Sequence, residues 1–274
     1  MADPRIVLFD LETLPNLFEA IKVWPQLSNY PGITLRASIS SIICAGWKAL
    51  GKDEPVHCIN AWDYPSWFEN MVLEFEGIRA DCLFPNVNDD LELCKAISES
   101  LTSADCVITH NGKKFDWKFL QTRLRYHKLP PLPPIHHVDT CAEAKRELFI
   151  FNNRLQTIAR YLTTMEKRDH EGWDLWVKVW MRNKPSQEEM SLYCKQDVTV
   201  LEAVFNELKP VIKGLPNHNL FSPFKEKVCP QCGSSRIKSE GKRYTSTQAY
   251  RRYCCQDCKK WFRTDLGDEL PRSI

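Results

Sequence analysis

Two Cys-x2-Cys pairs, Cys229-Pro230-Gln231-Cys232 and Cys255-Gln256-Asp257-Cys258, stand 22 residues apart near the end of the chain. The segment around them has few ways to fold. It is too short to bury an apolar core that offsets its chain entropy, so some cross-link has to contribute. Four thiolates at this spacing suit one structural Zn²⁺ held tetrahedrally by Cys229, Cys232, Cys255 and Cys258, which would then carry most of the segment's folding energy. Cys254 is adjacent, and the two-residue gap favours Cys255 as the ligand. Strand-like runs at Arg236-Ile237-Lys238, Gln248 to Tyr253 and Lys260 to Arg263 would join the two pairs.

Charge sets this segment apart. Residues 225–263 hold 11 Lys or Arg against 3 Asp or Glu, a net +8, which leaves −6 for the rest of a chain whose total is +2. Arg236, Lys238, Lys242, Arg243, Arg251 and Arg252 are interleaved with Tyr244, Tyr250 and Tyr253, a mixture suited to phosphate contact and base stacking. Arg251 and Arg252 are therefore expected to bind nucleic acid; the alternatives are charges that only keep the segment soluble, or a protein docking face.

The preceding 210 or so residues, in a chain of 43% hydrophobic content, suffice for one α/β domain. Three of its segments carry acids. Ile6-Val7-Leu8-Phe9 reads as a buried strand running into Asp10-Leu11-Glu12, and the two-residue period of a strand puts both carboxylates on one face. A second strand-like run, Cys106 to Thr109, leads into His110-Asn111-Gly112-Lys113-Lys114-Phe115-Asp116. Gly112 marks a turn, and Phe115, Phe119, Leu120 and Leu124 then recur at helical spacing, so Asp116 falls in a first helical turn. In the third segment Ser186, after Pro185 and with Glu189 three residues on, reads as a capping box that starts a helix. Tyr193 and Asp197, one turn apart, share its apolar stripe with Val200, Leu201, Val204 and Leu208. A buried Asp needs a partner, and a Tyr one turn earlier offers one.

Each motif alone is common on solvated strands and helix edges; their order and settings agree on one chemistry. The chain resembles the DEDD superfamily of 3′-to-5′ exonucleases, in its DnaQ-like DEDDy branch. The family's Asp-x-Glu motif is matched by Asp10 and Glu12, its Asn and Phe-Asp motif by Asn111, Phe115 and Asp116, and its Tyr-x-x-x-Asp motif by Tyr193 and Asp197. Looser matches at Phe9 to Asn16, Ala45 to Lys48 and Val138-Asp139-Thr140 are similar to exonucleases of bacteriophage type, and the cysteine segment resembles a zinc ribbon. Asp139 matches no tetrad position and reads as a strand-end residue.

The resemblance implies an α/β, ribonuclease H-like mixed sheet flanked by helices, plus a small C-terminal β zinc ribbon. It implies two Mg²⁺ or Mn²⁺ ions on Asp10, Glu12, Asp116 and Asp197, hard oxygen donors that favour these ions over Zn²⁺. Asp10 is assigned as the bridging ligand, Glu12 and Asp197 to the ion that activates water, Asp116 to the ion at the leaving oxygen, and Tyr193 to orienting the water. Thr13 and Leu14 are expected on the terminal nucleotide. Asn111 and Lys114 are expected at the strand's entry, amid a basic cluster of His110, Lys113, Lys118, Arg123 and Arg125 that suits phosphates, although a solvated helix face is the commoner reason for such a cluster.

The activity so implied is hydrolysis of single-stranded DNA from its 3′ end to nucleoside 5′-monophosphates. An RNA exonuclease, a ribonuclease H-like endonuclease or transposase, and a non-catalytic nucleic-acid-binding protein are the alternatives. Expected partners are single-stranded DNA, with RNA or duplex 3′ ends as variants, and a polymerase or recombination protein. No membrane is expected, because no apolar run approaches the roughly 18 residues of a spanning helix and no signal peptide is visible. Cys44, Cys58, Cys82, Cys94, Cys106, Cys141 and Cys194, scattered through apolar segments, read as reduced thiols of a cytoplasmic protein, in a host's cytoplasm if the source is viral.

The expected division is residues 1–212 for the nuclease domain, 213–226 for a linker, 227–265 for the ribbon and 266–274 for a tail. Strands are expected at 5–10, 39–48, 55–61, 104–109 and 136–139, and helices at 90–101, 115–127, 154–161 and 187–208. Trp173, Trp176 and Trp180 are expected to pack a helix, and residues 62–88 carry no reading.

Overall fold

Strand β1 (Ile6–Thr13) is the middle of a five-stranded mixed sheet in the order β3-β2-β1-β6-β7. The computed structural model describes residues 4–14, 41–68, 70–75, 78–85, 90–220, 228–263 and 268–269. On one side of β1, strands β2 (Ile42–Ala49) and β3 (His57–Asn60) run antiparallel; on the other, β6 (Cys106–Thr109) and β7 (His136–Asp139) run parallel. These are the five strands expected, although residues 39–40 of the second lie outside the described residues.

A central strand must be apolar on both faces, and β1 is. Ile6 and Leu8 belong to one buried cluster, while Val7, Phe9 and Leu11 belong to another, as the period of two requires. Helices α1 (Leu91–Thr102) and α2 (Asp116–Tyr126) bring Leu93, Ile97, Leu120 and Leu124 to the Val7 cluster. Helix α4 (Leu155–Leu162) and the second half of α6 (Lys184–Leu208) bring Ile158, Val200, Leu201 and Phe205 to the Ile6 cluster. The sheet flanked by helices is the architecture expected.

A helix and a hairpin in the larger domain were not anticipated. Helix α3 (Thr140–Glu147) starts directly off β7, and the hairpin β4 (Asn70–Phe75) and β5 (Ile78–Pro85) occupies the uninterpreted stretch, with Trp67 buried just before it. The tryptophans form helix α5 (Trp173–Trp180), where Trp180 is buried and Trp176 packs against the core; the side chain of Trp173 lies outside the described residues. The start of α6 needs correction. Asn183 is its cap, its Oδ1 accepting from the Ser186 N–H at 3.1 Å, so Ser186 is helical and Pro185 sits in the first turn, where a missing N–H costs nothing.

Gly46 sets how close α6 lies to the sheet. A Cβ there would stand 3.0 Å from Val198 Cγ2 and 3.3 Å from the Cys194 carbonyl oxygen, so the helix rests directly on the β2 backbone. Gly46→Val is expected to destabilise the protein by about 1–3 kcal/mol through overpacking, read from the midpoint of urea unfolding. An unchanged midpoint would refute this contact.

The cysteine segment forms a second sheet around β9 (Gln248–Cys255), paired with β8 (Ile237–Tyr244), β10 (Trp261–Arg263) and the two-residue β11 (Asp268–Glu269). It is tied to the end of α6: Gln231 Nε2 donates to the Lys209 carbonyl at 2.5 Å, and Lys260 Nζ to the Ile212 carbonyl at 2.5 Å. Between the two, His218 N donates to the Pro230 carbonyl at 3.0 Å. Residues 221–226 of the expected linker, 227 and 264–265 of the expected ribbon, and all of the expected tail but 268–269 lie outside the described residues. Among the described residues, no helix is long and apolar enough to cross a membrane.

Candidate active site

The pairing of β1 with β6 ends at Leu8 opposite Ile108, and Asp10 and Glu12 follow on the same face. Helix α6, held close by Gly46, sets Asp197 against them: one carboxylate oxygen from each of Asp10, Glu12 and Asp197 lies within 4.8 Å of the others. Asp116, at the start of α2, accepts from the Leu11 N–H at 3.3 Å and is buried. The structure thus clusters three acids of the expected tetrad and sets Asp116 beside them, near enough for its charge to act on Asp10.

Their electrostatics follow from that crowding. Burial, then the neighbouring charges of Asp116, Asp197 and Glu12, push the Asp10 carboxyl well above the usual range. Burial and the Asp197 charge raise Glu12 to about 8; burial raises Asp116 to about 6. Asp197 is raised by burial too, against the pull of Lys167. Four desolvated carboxylates in one place favour neutral forms unless cations arrive.

Lys167 supplies one such charge, and the sequence reading missed it. Its ammonium pairs with Asp197 Oδ2, donates to the Tyr193 hydroxyl at 3.0 Å and lies 4.9 Å from the Tyr193 ring centroid. His170 and Trp176 meet the same ring edge-on at 4.9 and 6.0 Å, so Tyr193 is fixed from three sides. Burial, then the Asp197 charge, raises the Tyr193 hydroxyl above its ordinary pKa, which keeps its proton on.

Asp197 Oδ1 is buried with no hydrogen-bond partner. An orphaned carboxylate oxygen beside two more acids fits the donor set of Mg²⁺ or Mn²⁺, which take oxygen ligands and tolerate a partly filled protein shell. The residues present therefore suit divalent cations.

The loop of the second acid motif is built to hold still. Asn111 takes the left-handed φ of 66°, which Asn tolerates. Gly112 follows, and a Cβ there would lie 2.4 Å from Thr109 Oγ1. Asp139, the expected strand-end residue, does more than end β7. Its carboxylate accepts from the N–H groups of Asn111 (2.9 Å) and Lys113 (3.2 Å) and caps α3 through Cys141 and Ala142.

The residues expected to touch substrate are placed unevenly. Thr13 is half-buried beside the acids, whereas Leu14 is 5% exposed, packs in the core and gives its N–H to the Ser41 carbonyl. Asn111 and Lys114 are exposed on the motif loop, and Arg251 and Arg252 are exposed on β9. Two members of the basic cluster are corrected. Arg123 is 2% exposed and holds Asp90 through Nε at 2.9 Å and Nη2 at 2.6 Å, joining the start of α1 to α2 rather than meeting phosphate. His110 is spent on internal bonds, to Thr140 Oγ1 and the Asn153 carbonyl, both at 2.9 Å.

In the small sheet, Cys229, Cys232, Cys255 and Cys258 have all four sulfurs within 4.8 Å of one another. The Cys229–Cys258 and Cys232–Cys255 sulfurs are 3.6 and 3.7 Å apart. A tetrahedron with Zn–S bonds of about 2.3 Å has edges of about 3.8 Å, so the cluster has the size for zinc. Burial raises Cys255, but the N–H groups of Cys258 and Asp257 outweigh it and bring the thiol to about 7. Cys254 lies outside the cluster, as the spacing argued.

A family model described as RNase_H superfamily matches residues 72–209, just over half of the 274-residue chain. The match takes in Asp116, Tyr193 and Asp197 and begins beyond β1. No curated protein matches the chain.

Proposed function

Since the chain belongs to the RNase_H superfamily, we propose that it is a metal-dependent 3′-to-5′ exonuclease that removes nucleoside 5′-monophosphates from single-stranded DNA. The observation that carries this reading is the convergence of Asp10, Glu12, Asp116 and Asp197 beside a fixed Tyr193. In this proposal Asp10, Glu12, Asp116 and Asp197 would hold two Mg²⁺ or Mn²⁺ ions. When bound, these cations would compensate charge at the scissile phosphate and the leaving 3′ oxygen and make a water nucleophilic near neutral pH.

Tyr193 keeps its proton, so its role is to orient the attacking water by hydrogen bonding rather than to abstract a proton. Lys167 holds that hydroxyl in place. Thr13, Asn111 and Lys114 are assigned to the terminal nucleotides. The cysteine module is proposed to be a zinc ribbon, adding grip through Arg251 and Arg252, whose phosphate contacts would weaken with salt.

The test is digestion of 5′-labelled single-stranded DNA and the matching RNA, each with and without added Mg²⁺ or Mn²⁺. The expected result is a metal-dependent ladder shortening from the 3′ end, faster on DNA; cleavage of circular single strands, or no cleavage of either polymer, would overturn the exonuclease reading. Tyr193→Phe is expected to lower kcat by about 10²-fold, the cost of a misplaced nucleophile, while leaving divalent-ion affinity as it was. Full activity in that variant would remove the water-orienting role.

A further inference from the structure

Between α3 and α4 the chain reads Leu148-Phe149-Ile150-Phe151-Asn152-Asn153-Arg154. Leu148 and Ile150 pack against the apolar cluster that α6 covers, and the alternation turns their neighbours outward. Phe149 is 96% and Phe151 100% exposed, with ring centroids 6.2 Å apart, edge to face. Two adjacent phenyl rings left wholly in water are an exposed apolar feature of the kind that marks a contact surface.

The segment beneath them is anchored. The Asn153 carbonyl accepts from His110 Nε2 at 2.9 Å and from Cys141 Sγ at 3.5 Å. Asn153 Nδ2 donates to the Ile150 carbonyl at 3.2 Å, and the Arg154 N–H donates to Asn152 Oδ1 at 3.0 Å. His110 sits in the second motif loop, so the rings are tied through its imidazole to the loop that carries Asp116 into α2. Their position relative to the acids is set by the fold.

Phe151 also lines a cleft of about 660 Å³ whose walls include Asp10, Asp197, Lys167, Lys145 and Arg154. One continuous cavity thus offers an aromatic face, the cations Lys145 and Arg154 beside the Lys167 already paired with Asp197, and two acids of the cluster. A nucleic acid strand presents the complements of these in the same order of size and charge: a base, its phosphates and a scissile bond. A protein partner would have no use for the acids, and a lipid surface none for a recess.

We infer that Phe149 and Phe151 form a base-stacking platform for a single strand, with Lys145 and Arg154 facing its phosphates. The platform takes the bases that precede the nucleotide being removed. Stacking on a phenyl face serves every base, so this subsite grips without reading sequence. The inference deepens the nuclease proposal and depends on it for the polarity of the strand, though not for the stacking itself.

The experiment uses the full chain, its zinc retained, in buffer freed of Mg²⁺ and Mn²⁺ by desalting, so that the strand stays intact, with an oligodeoxynucleotide carrying 2-aminopurine as the third nucleotide from its 3′ end. Stacking on the rings is expected to quench the probe in the native protein and in Phe151→Trp. In Phe149→Ala/Phe151→Ala the quenching should vanish and affinity fall about 5- to 100-fold. Both rings are on the surface, so an unchanged melting curve shows that the double variant is folded. Equal quenching and equal affinity in native protein and double variant would overturn the platform, even with exonuclease activity present. Ring-dependent quenching in a protein that never shortens a strand would instead keep the platform and discard the exonuclease reading.

Discussion

Asp10→Asn is expected to remove at least about 10³-fold of the exonuclease activity and, with Mg²⁺ and Mn²⁺ withheld, to raise the melting temperature. The two effects share a cause. Asp10 is crowded by Asp116, Asp197 and Glu12 in a desolvated setting that opposes its charge, and an amide of the same shape relieves the repulsion while forfeiting a cation ligand. In the folded protein Glu12 titrates near 8 and Asp116 near 6, both above the carboxylate range of an unfolded chain. At these two sites the folded state therefore holds more protons than the unfolded state, so their contribution to stability falls as pH rises from about 4 to 8; His137, lowered by burial to about 4, opposes them below about pH 6.5 and no longer does so above it. Melting with zinc retained and Mg²⁺ and Mn²⁺ withheld should accordingly drop between pH 6.5 and 8, less steeply in Asp10→Asn, and added Mg²⁺ should restore more at pH 8 than at pH 6.5. A variant less stable than the native protein at pH 8 without Mg²⁺ or Mn²⁺ would contradict the crowding.

Removing zinc should have the largest structural effect. The chain as purified is expected to carry one Zn²⁺, and Cys229→Ser or Cys258→Ser to lose it, whereas Cys254→Ser retains it. Binding of structural zinc to modules of this kind is worth about 10–16 kcal/mol, far more than the few apolar side chains here can replace. Of the segment from 228 to 263, Cys229, Ala249 and Cys255 are the buried apolar residues, and two of these three are ligands in the proposed site. Metal content by atomic absorption and limited proteolysis check it together: the variants should be cut within the cysteine segment while the larger domain resists. A zinc-free segment that stays protease-resistant would sink the assignment.

The parts of this fold that could be read in advance are those where local pattern and tertiary role coincide. The period of two in Ile6 to Glu12 fixed both the strand and the face its acids share, and the stripe on α6 placed Tyr193 and Asp197 inward before any partner was known. Where two local signals compete, the reading slipped. Asn183 and Ser186 are both capping residue types, and only the position of Pro185 within the first turn decides for Asn183. Helix α3 was missed because it is eight residues long and begins without a loop, although the Asp139 cap was its one visible signal. Long-range partners left no trace at all. Lys167 reaches Asp197 from a loop 30 residues earlier, and Arg123 meets Asp90 across 33, so the first drew no notice and the second was grouped with the cations at the strand's entry. Phe149 and Phe151 were hidden differently: in a run of four apolar residues, alternation shows that two face out but not which two.

Helix α6 has 25 residues, carries Tyr193 and Asp197 in its middle, and ends beside the carbonyls that receive Gln231 and Lys260. Its inner stripe locks its rotation on the domain, so the residues from Asp197 to Lys209 act as a shaft between the acid cluster and the cysteine module. One inserted residue in that shaft would swing the module by about 100° around the helix axis, and four would leave it about 40° out of phase and about 6 Å further along. Only an insertion of about seven residues would bring the angle back, at the expense of about 10 Å of separation. Length in this stretch is therefore quantised by the helical turn, and a single-residue deletion here should uncouple the module from the domain more thoroughly than the loss of either tethering side chain.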